Sequence, residues 1–204
     1  MTRLVLIRHG QTPSNVLGLL DTGAPGPGLT ELGRQQAAGV VDHMAERDVD
    51  EIFVSSLIRT HETAAPLAAE RGLAPVPLAG IHEVEAGELE MRSDEDSVRR
   101  YMRTAFAWGA GDLSVRMPGG ADGHEFFARF DADIAHAAEA GEHPVVVSHG
   151  AAIRIWVAGR ARNIEPAFTA FNHMPNAGIA VLEGSPDDGW RLLEWPGAEV
   201  PSGR

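Results

Sequence analysis

The sequence predicts an α/β fold, a three-layer sandwich whose mostly parallel central sheet is flanked by helices on both faces. Three observations predict it. Short aliphatic runs at Leu4–Ile7, Ile52–Val54 and Pro144–Val147 read as strands buried on both faces, the habit of parallel sheets. Segments of helical periodicity alternate with these runs. Two of the runs also end alike, in Arg8-His9-Gly10 and in Ser148-His149-Gly150. In open α/β sheets the carboxyl edge of the strands is where ligands bind.

In chain order, Arg3 to Ile7 is the first strand, and Gly10 lets the backbone approach a ligand closely. Pro13 to Gly28 is a Gly/Pro-rich loop, long enough to be functional, and it carries Asn15. Thr30 caps a helix with Ala37, Val40, Val41 and Met44 on its core face. Glu51–Val54 is the next strand, and Ser56 is the expected N-cap of a helix running to Glu70 or Arg71 and ended by Gly72. Arg59 falls in that helix's first turn, where a cation is unfavourable unless an anion joins it.

Pro75–Leu78 is a short extended piece, and Ile81–Gly87 leads into a densely charged stretch from Glu88 to Arg103. Residues 88 to 120 are expected to form a small helical and loop lid insertion in a single domain covering 1 to 204. Phe126–Ala140 is an amphipathic helix, Pro144–Val147 a buried strand and Ala151–Val157 a helix. Ala177–Glu183 and Arg191–Trp195 close the chain as strands joined by a turn at Ser185–Gly189.

Composition excludes several functions. With 17 basic and 29 acidic side chains the formal net charge is −12, which disfavours nucleic acid and anionic membranes as partners. There is no cysteine, so disulfides, thiolate metal sites and cysteine nucleophiles are excluded. The nine histidines contain no pair at helical ligand spacing beside an acid, and no metal or cofactor is expected. With no apolar run of spanning length and no leader, the chain is expected in the cytoplasm.

A parallel sheet brings Arg8, His9, Arg59 and His149 to one edge. Two guanidiniums and two imidazoles beside glycine make a pocket for a dianion, and phosphate suits the guanidinium fork. A neutral imidazole is a competent nucleophile near pH 7. Phosphoryl transfer further needs an acid for the leaving alkoxide, with Glu83 and Glu85 as candidates. Arg99, Arg100 and Arg103 read as surface residues on a solvated helix face; only in a mutase would Arg99-Arg100-Tyr101 be called on to grip a second anionic group. His43, His61, His136 and His143 read as solvated, whereas His82, His124 and His173 lie in expected loops bordering the cleft.

These segments resemble the four motifs of the histidine phosphatase superfamily, which includes cofactor-dependent phosphoglycerate mutases. Arg8-His9-Gly10-Gln11-Thr12 with Asn15 resembles the first, and Ser55 to Arg59 with Thr60, Thr63 and Ala64 the second. Glu83 with Gly87 resembles the third, and Val147-Ser148-His149-Gly150 the fourth. The resemblance implies that His9 becomes a phosphohistidine. It implies that Arg8, Arg59, His149 and Gly150 hold the phosphoryl group and Asn15 adds a contact. Glu83 rather than Glu85 is then the proton donor that later activates water, without a metal. Departures at Ser14, Glu90-Met91 and Ala121-Asp122 fall in substrate-side loops.

The function expected is a metal-independent phosphomonoesterase acting on a small phosphorylated metabolite. The alternatives are a cofactor-dependent phosphoglycerate mutase and a non-catalytic phosphate-binding module. No partner beyond the small substrate is expected, with a homodimer left open.

Overall fold

The computed structural model describes residues 1–202. The strands are β1 (Thr2–Arg8), β2 (Glu51–Val54), β3 (Val76–Pro77), β4 (Pro144–Ser148), β5 (Ile179–Ser185) and β6 (Gly189–Glu194). They form a six-stranded sheet in the order β3-β2-β4-β1-β5-β6. The first four in that order are mutually parallel, and β5 and β6 run antiparallel on one edge. The mostly parallel sheet is therefore as expected.

Alternation along each strand supplies both cores. Leu4, Leu6, Phe53, Val146 and Leu182 point to one layer. That layer holds α4 (Glu95–Gly109), α5 (Gly123–Ala140) and α6 (Gly150–Arg160). Val5, Ile7, Ile52, Val54, Val145 and Val147 point to the other. There they meet α2 (Glu31–Met44) and α3 (Ile58–Arg71). A continuous apolar run is thus two period-2 faces, each covered by helices.

This layering creates the cleft. The long helix α2, after β1, lies on one face of the sheet, and α6, after the neighbouring parallel strand β4, lies on the other. Their connections diverge at the carboxyl edge and leave a crevice at a topological switch point. The register pairs Arg8 with Ser148, so the residues just beyond, His9 and His149, emerge side by side.

Several local expectations are revised. Residues Pro13–Leu17 form a short helix, α1, inside the segment read as loop; Thr12 caps it and Asn15 completes the capping box. Gly/Pro content hid this one-turn element. The helix α3 begins one residue later than Ser56 implies. Its N-cap is Leu57, without a side-chain cap, and Ile58 N–H donates instead to the Pro25 carbonyl at 3.0 Å. Gly10 is small for α2, not for a ligand: a Cβ there lies 2.5 Å from the Gly33 carbonyl oxygen. Within 88–120, α4 starts at Glu95 behind an Asp94 cap and buries Tyr101, Ala105 and Trp108 in the larger core. α7 (Ala167–Phe171), unforeseen, follows α6.

Candidate active site

The cleft at the switch point is lined by Arg8, His9, Asn15, Asp21, Arg59, Glu83, Gly150 and Arg154 among others, with a volume of about 190 Å³. That volume admits a phosphoryl group and a small substituent.

His9 is 3% exposed, held by main-chain bonds at the end of β1. Its amide donates to the Ser148 carbonyl at 3.0 Å, and its own carbonyl accepts from Ala177 N–H at 3.2 Å. The ring Nδ1 lies 2.7 Å from the Gly10 carbonyl. A carbonyl only accepts, so Nδ1 carries the proton and Nε2 carries a lone pair. Nε2 has no protein partner among the described residues. Burial first, then Arg59 and Arg8, hold the His9 pKa well below 6.5. The ring is therefore neutral at physiological pH.

His149 is fully buried, its ring centroid 5.2 Å from that of His9. Here both nitrogens are occupied. Arg59 Nε donates to Nδ1 at 3.3 Å, and Nε2 lies 2.8 Å from Ser55 Oγ. Guanidinium only donates, so Nδ1 is bare and Nε2–H donates to Ser55. The chain of donors runs on from Ser55 to Thr60 Oγ1 at 3.1 Å and from Thr60 to the Leu57 carbonyl at 2.8 Å. Burial, and next His9, push the His149 pKa well below 6.5. Direct contact with a phosphoryl oxygen, as the resemblance implies, requires Arg59 Nε to release Nδ1 first.

Arg59 is 2% exposed, its Nη2 on the Asp21 carbonyl at 2.9 Å and its Nη1 4.0 Å from the Asp21 carboxylate. Thr63, one turn on, ties this helix to the β1 loop: Gly10 N–H donates to Thr63 Oγ1 at 2.9 Å. Arg8 donates from Nη1 to the Met174 carbonyl at 2.6 Å, with His173 Nε2 at 3.4 Å, and its Nε is buried without a partner among the described residues. A Cβ on Gly150 would stand 2.9 Å from that Nε, so Gly150 makes room for Arg8.

Glu83 answers a need of α6. The helix has His149 as N-cap without a side-chain bond, leaving its first amides orphaned. Glu83 Oε1 accepts from Ala152 N–H at 2.7 Å and Oε2 from Ala151 N–H at 3.2 Å. The α6 amides thus face Glu83 rather than an incoming anion. Arg129 anchors the loop from α5, donating to the Gly80 and His82 carbonyls at 2.5 and 2.9 Å and to the Glu83 carbonyl at 2.8 Å. Glu85 is exposed and pairs with His82 at 3.1 Å; of the two carboxylates only Glu83 lines the cleft.

Asn15 also lies at the cleft. Its Oδ1 accepts from Thr12 N–H at 3.1 Å and from Asn176 Nδ2 at 3.0 Å, which turns its own amide NH₂ outward. Asn176, Arg129 and Arg154 escaped notice in the sequence, and Ser55 stood in the second motif without a role. Arg154 alone left a signal, lying four residues after Gly150 and hence on the same helical face. Arg99, Arg100 and Arg103 are exposed outside the cleft, with Arg99 paired to Glu95 and Asp96; from that stretch Tyr101 and Met102 reach it. His43, His61 and His136 are exposed and His143 is half-buried. His124 stands in the first turn of α5 rather than in a loop, and His173 borders the cleft.

A cleft at this switch point, lined by an imidazole with a bare nitrogen and by two arginines, is an arrangement suited to an anion. The chain belongs to the histidine phosphatase superfamily (branch 1), whose model matches residues 4–196. It is similar to the PE-PGRS family protein PE_PGRS11 of Mycobacterium tuberculosis, 37% identical over 95% of this chain and 36% of the relative. The chain thus spans about a third of that relative's length. It is also similar to the adenosylcobalamin/alpha-ribazole phosphatase of Escherichia coli, 30% identical over 76% of this chain and 77% of the relative. Among solved structures, mycobacterial glucosyl-3-phosphoglycerate phosphatase complexed with VO3 superposes with a TM-score of 0.80. The two are 26% identical, covering 97% of this chain and 100% of that one.

No helix among the described residues is long and apolar enough to cross a membrane.

Proposed function

We propose that this protein is a phosphomonoesterase acting on a small phosphorylated metabolite through a phosphohistidine on His9. The observation that carries this is the His9 ring: Nδ1–H is pinned to the Gly10 carbonyl, leaving the Nε2 lone pair unpartnered at the cleft. His9 Nε2 attacks phosphorus, and the ester oxygen leaves on the opposite side, taking a proton from Glu83. Arg8 and Arg59 hold the equatorial oxygens, where charge resides through the transfer. Asn15 donates from its outward NH₂, and Gly150 lets Arg8 lie flat beside the anion.

His149 has a conditional role. When Arg59 turns to the anion, Nδ1 is released and the dianion's charge favours a proton there, giving a further donor. In the second half-reaction Glu83, now a carboxylate, takes a proton from water, which attacks the phosphohistidine and frees His9. Names of relatives point the same way, since the phosphatases among them act on small phosphorylated compounds.

The test is hydrolysis of a chromogenic phosphate ester with EDTA present, comparing wild type with His9→Ala. Wild type should turn over and become labelled with acid-labile phosphate, and the variant should do neither. Equal activity of the two proteins would remove His9 from the mechanism. Inactivity of both across acidic and neutral pH would favour a phosphate-binding module.

A further inference from the structure

One acid in the cleft has no part in the chemistry above. Asp21 lines the cleft with Arg8, His9 and Arg59, and its side chain is only 11% exposed. It holds Arg59 twice. The Asp21 carbonyl accepts from Arg59 Nη2 at 2.9 Å, and the carboxylate Oδ1 stands 4.0 Å from Nη1. The second contact is too long for a hydrogen bond and acts as charge attraction alone. Nη1 has no hydrogen-bond partner among the described residues. It lies against the same loop, where a Cβ on Gly26 would stand 2.5 Å from it. With Nε on His149 Nδ1, each nitrogen of this guanidinium has a protein neighbour.

The turn carrying Asp21 is clamped from two sides. Ser14 Oγ, in α1, donates to Asp21 Oδ2. Glu90 accepts from the amides of Thr22 and Gly23 at 2.8 and 3.1 Å, and from Thr22 Oγ1. Thr22 Oγ1 in turn accepts from Ala86 N–H at 3.0 Å. Ser14 and Glu90 are two of the positions at which the chain departs from the family motifs, and both departures converge on this turn. A carboxylate fixed among the cations of a cleft weakens the binding of any anion that enters. It repels that anion and occupies a cation the anion needs. Burial lowers the Arg59 pKa, and the charges of Glu83 and then Asp21 oppose that shift.

We propose that Asp21 is a built-in competitor for the phosphoryl group. It holds Arg59 between turnovers, an entering phosphate must take Arg59 from it, and its return helps to expel the inorganic phosphate product. The inference rests on the phosphatase reading of the cleft. Asp21 is a positioning residue, since it acts through Arg59. Its benefit lies in turnover rather than in binding: inorganic phosphate is the last species to leave, and two guanidiniums would otherwise retain it. A pairing at 4.0 Å without a hydrogen bond is loose enough to be exchanged for the contacts that a phosphate offers.

The test is the binding of inorganic phosphate and orthovanadate, read by inhibition of chromogenic ester hydrolysis and by titration calorimetry. Asp21→Asn keeps the shape and an oxygen for Ser14 but removes the charge. It should lower both inhibition constants by about tenfold, as expected for one partly buried charge contact. KM should fall by a similar factor with kcat moving less, the signature of a change in uniform binding. A residue that only braced the turn would do the reverse, since a loosened turn binds phosphate more weakly. Ser14→Ala cuts the brace and keeps the carboxylate, so it should not tighten binding. In an Arg59→Gln background, Asp21→Asn should change phosphate affinity by less than about twofold. Asp21→Ala serves alone if the asparagine variant does not fold. Phosphate bound equally or more weakly by the folded variant overturns the assignment and leaves the phosphatase reading intact. So does a gain in affinity that persists without Arg59 or that Ser14→Ala reproduces. If wild type binds phosphate without hydrolysing the ester, the phosphatase reading fails and calorimetry alone decides the competitor role. If it binds neither phosphate nor vanadate, both fail.

Discussion

The chain ends two adjacent parallel strands in nearly the same way, an apolar run and then His-Gly, yet the two imidazoles are prepared for different work. His9 spends Nδ1–H on the carbonyl of the next residue and keeps Nε2 bare toward the cleft. His149 spends both nitrogens inside the protein, receiving from Arg59 and giving to Ser55. Both rings are buried and both are pushed toward neutrality by burial. What separates them is therefore not charge but the direction of hydrogen bonds. One ring keeps a lone pair free at the cleft; the other is a latent donor whose tautomer is set by a hydroxyl chain.

The comparison is broken most severely at His9. His9→Asn should reduce kcat by on the order of 10³-fold or more, because no other group presents a free lone pair beside both arginines. Rapid-quench labelling should find no acid-labile phosphate on that variant. His149→Asn should retain labelling and lose on the order of 10²-fold in its rate, the cost of one donor to the developing charge. If the two variants lose labelling equally, the division of labour between the rings is mistaken.

Ser55→Ala sharpens the contrast further. It strips the acceptor from His149 Nε2–H and leaves a buried donor unsatisfied, at a cost of about 1–3 kcal/mol in unfolding free energy by denaturant titration. It should also slow phosphotransfer by roughly tenfold by freeing the tautomer. His9, whose Nδ1 bond is to main chain, has no side-chain partner whose removal produces this effect.

The smallest expected effect is on pH. Both histidines have pKa values lowered by folding, so at acid pH the unfolded chain takes up protons that the folded rings resist. Their contribution to stability is complete above pH 6.5 and is lost as pH falls from there toward the lowered folded values. Thermal melts from pH 7.5 to 5 should show this loss, and His9→Asn should flatten it in part. A melting temperature equally pH-dependent in wild type and variant would contradict the burial of a neutral ring.

Much of this was legible before any coordinates. Aliphatic runs of strand length, sheet class and the gathering of Arg8, His9, Arg59 and His149 at one edge follow from patterning and the geometry of parallel strands. Other features were not. The helix at Pro13–Leu17 was concealed by loop-like composition, and the first turn of α3 draws its cap from the Pro25 carbonyl rather than from Ser56. Gly10 was read as room for a ligand, whereas the backbone that approaches it belongs to Gly33. Arg99 and Arg100 lie on the surface, as the charge alternation there implies, while Arg154, unremarked in a helix of apolar neighbours, lines the cleft.

The sequence by itself determined which strands are buried on both faces and which residues stand at their ends, because the hydrophobic period and the strand ends are local properties of the chain. Only the tertiary structure decided what each of those residues can do. Which nitrogen of a ring holds its proton, which carboxylate reaches the cleft and which arginine lacks a partner depend on groups up to 167 positions away, as with Asn176 on the His9 carbonyl. Hydrogen-bond direction is set by those neighbours, and no periodicity encodes it.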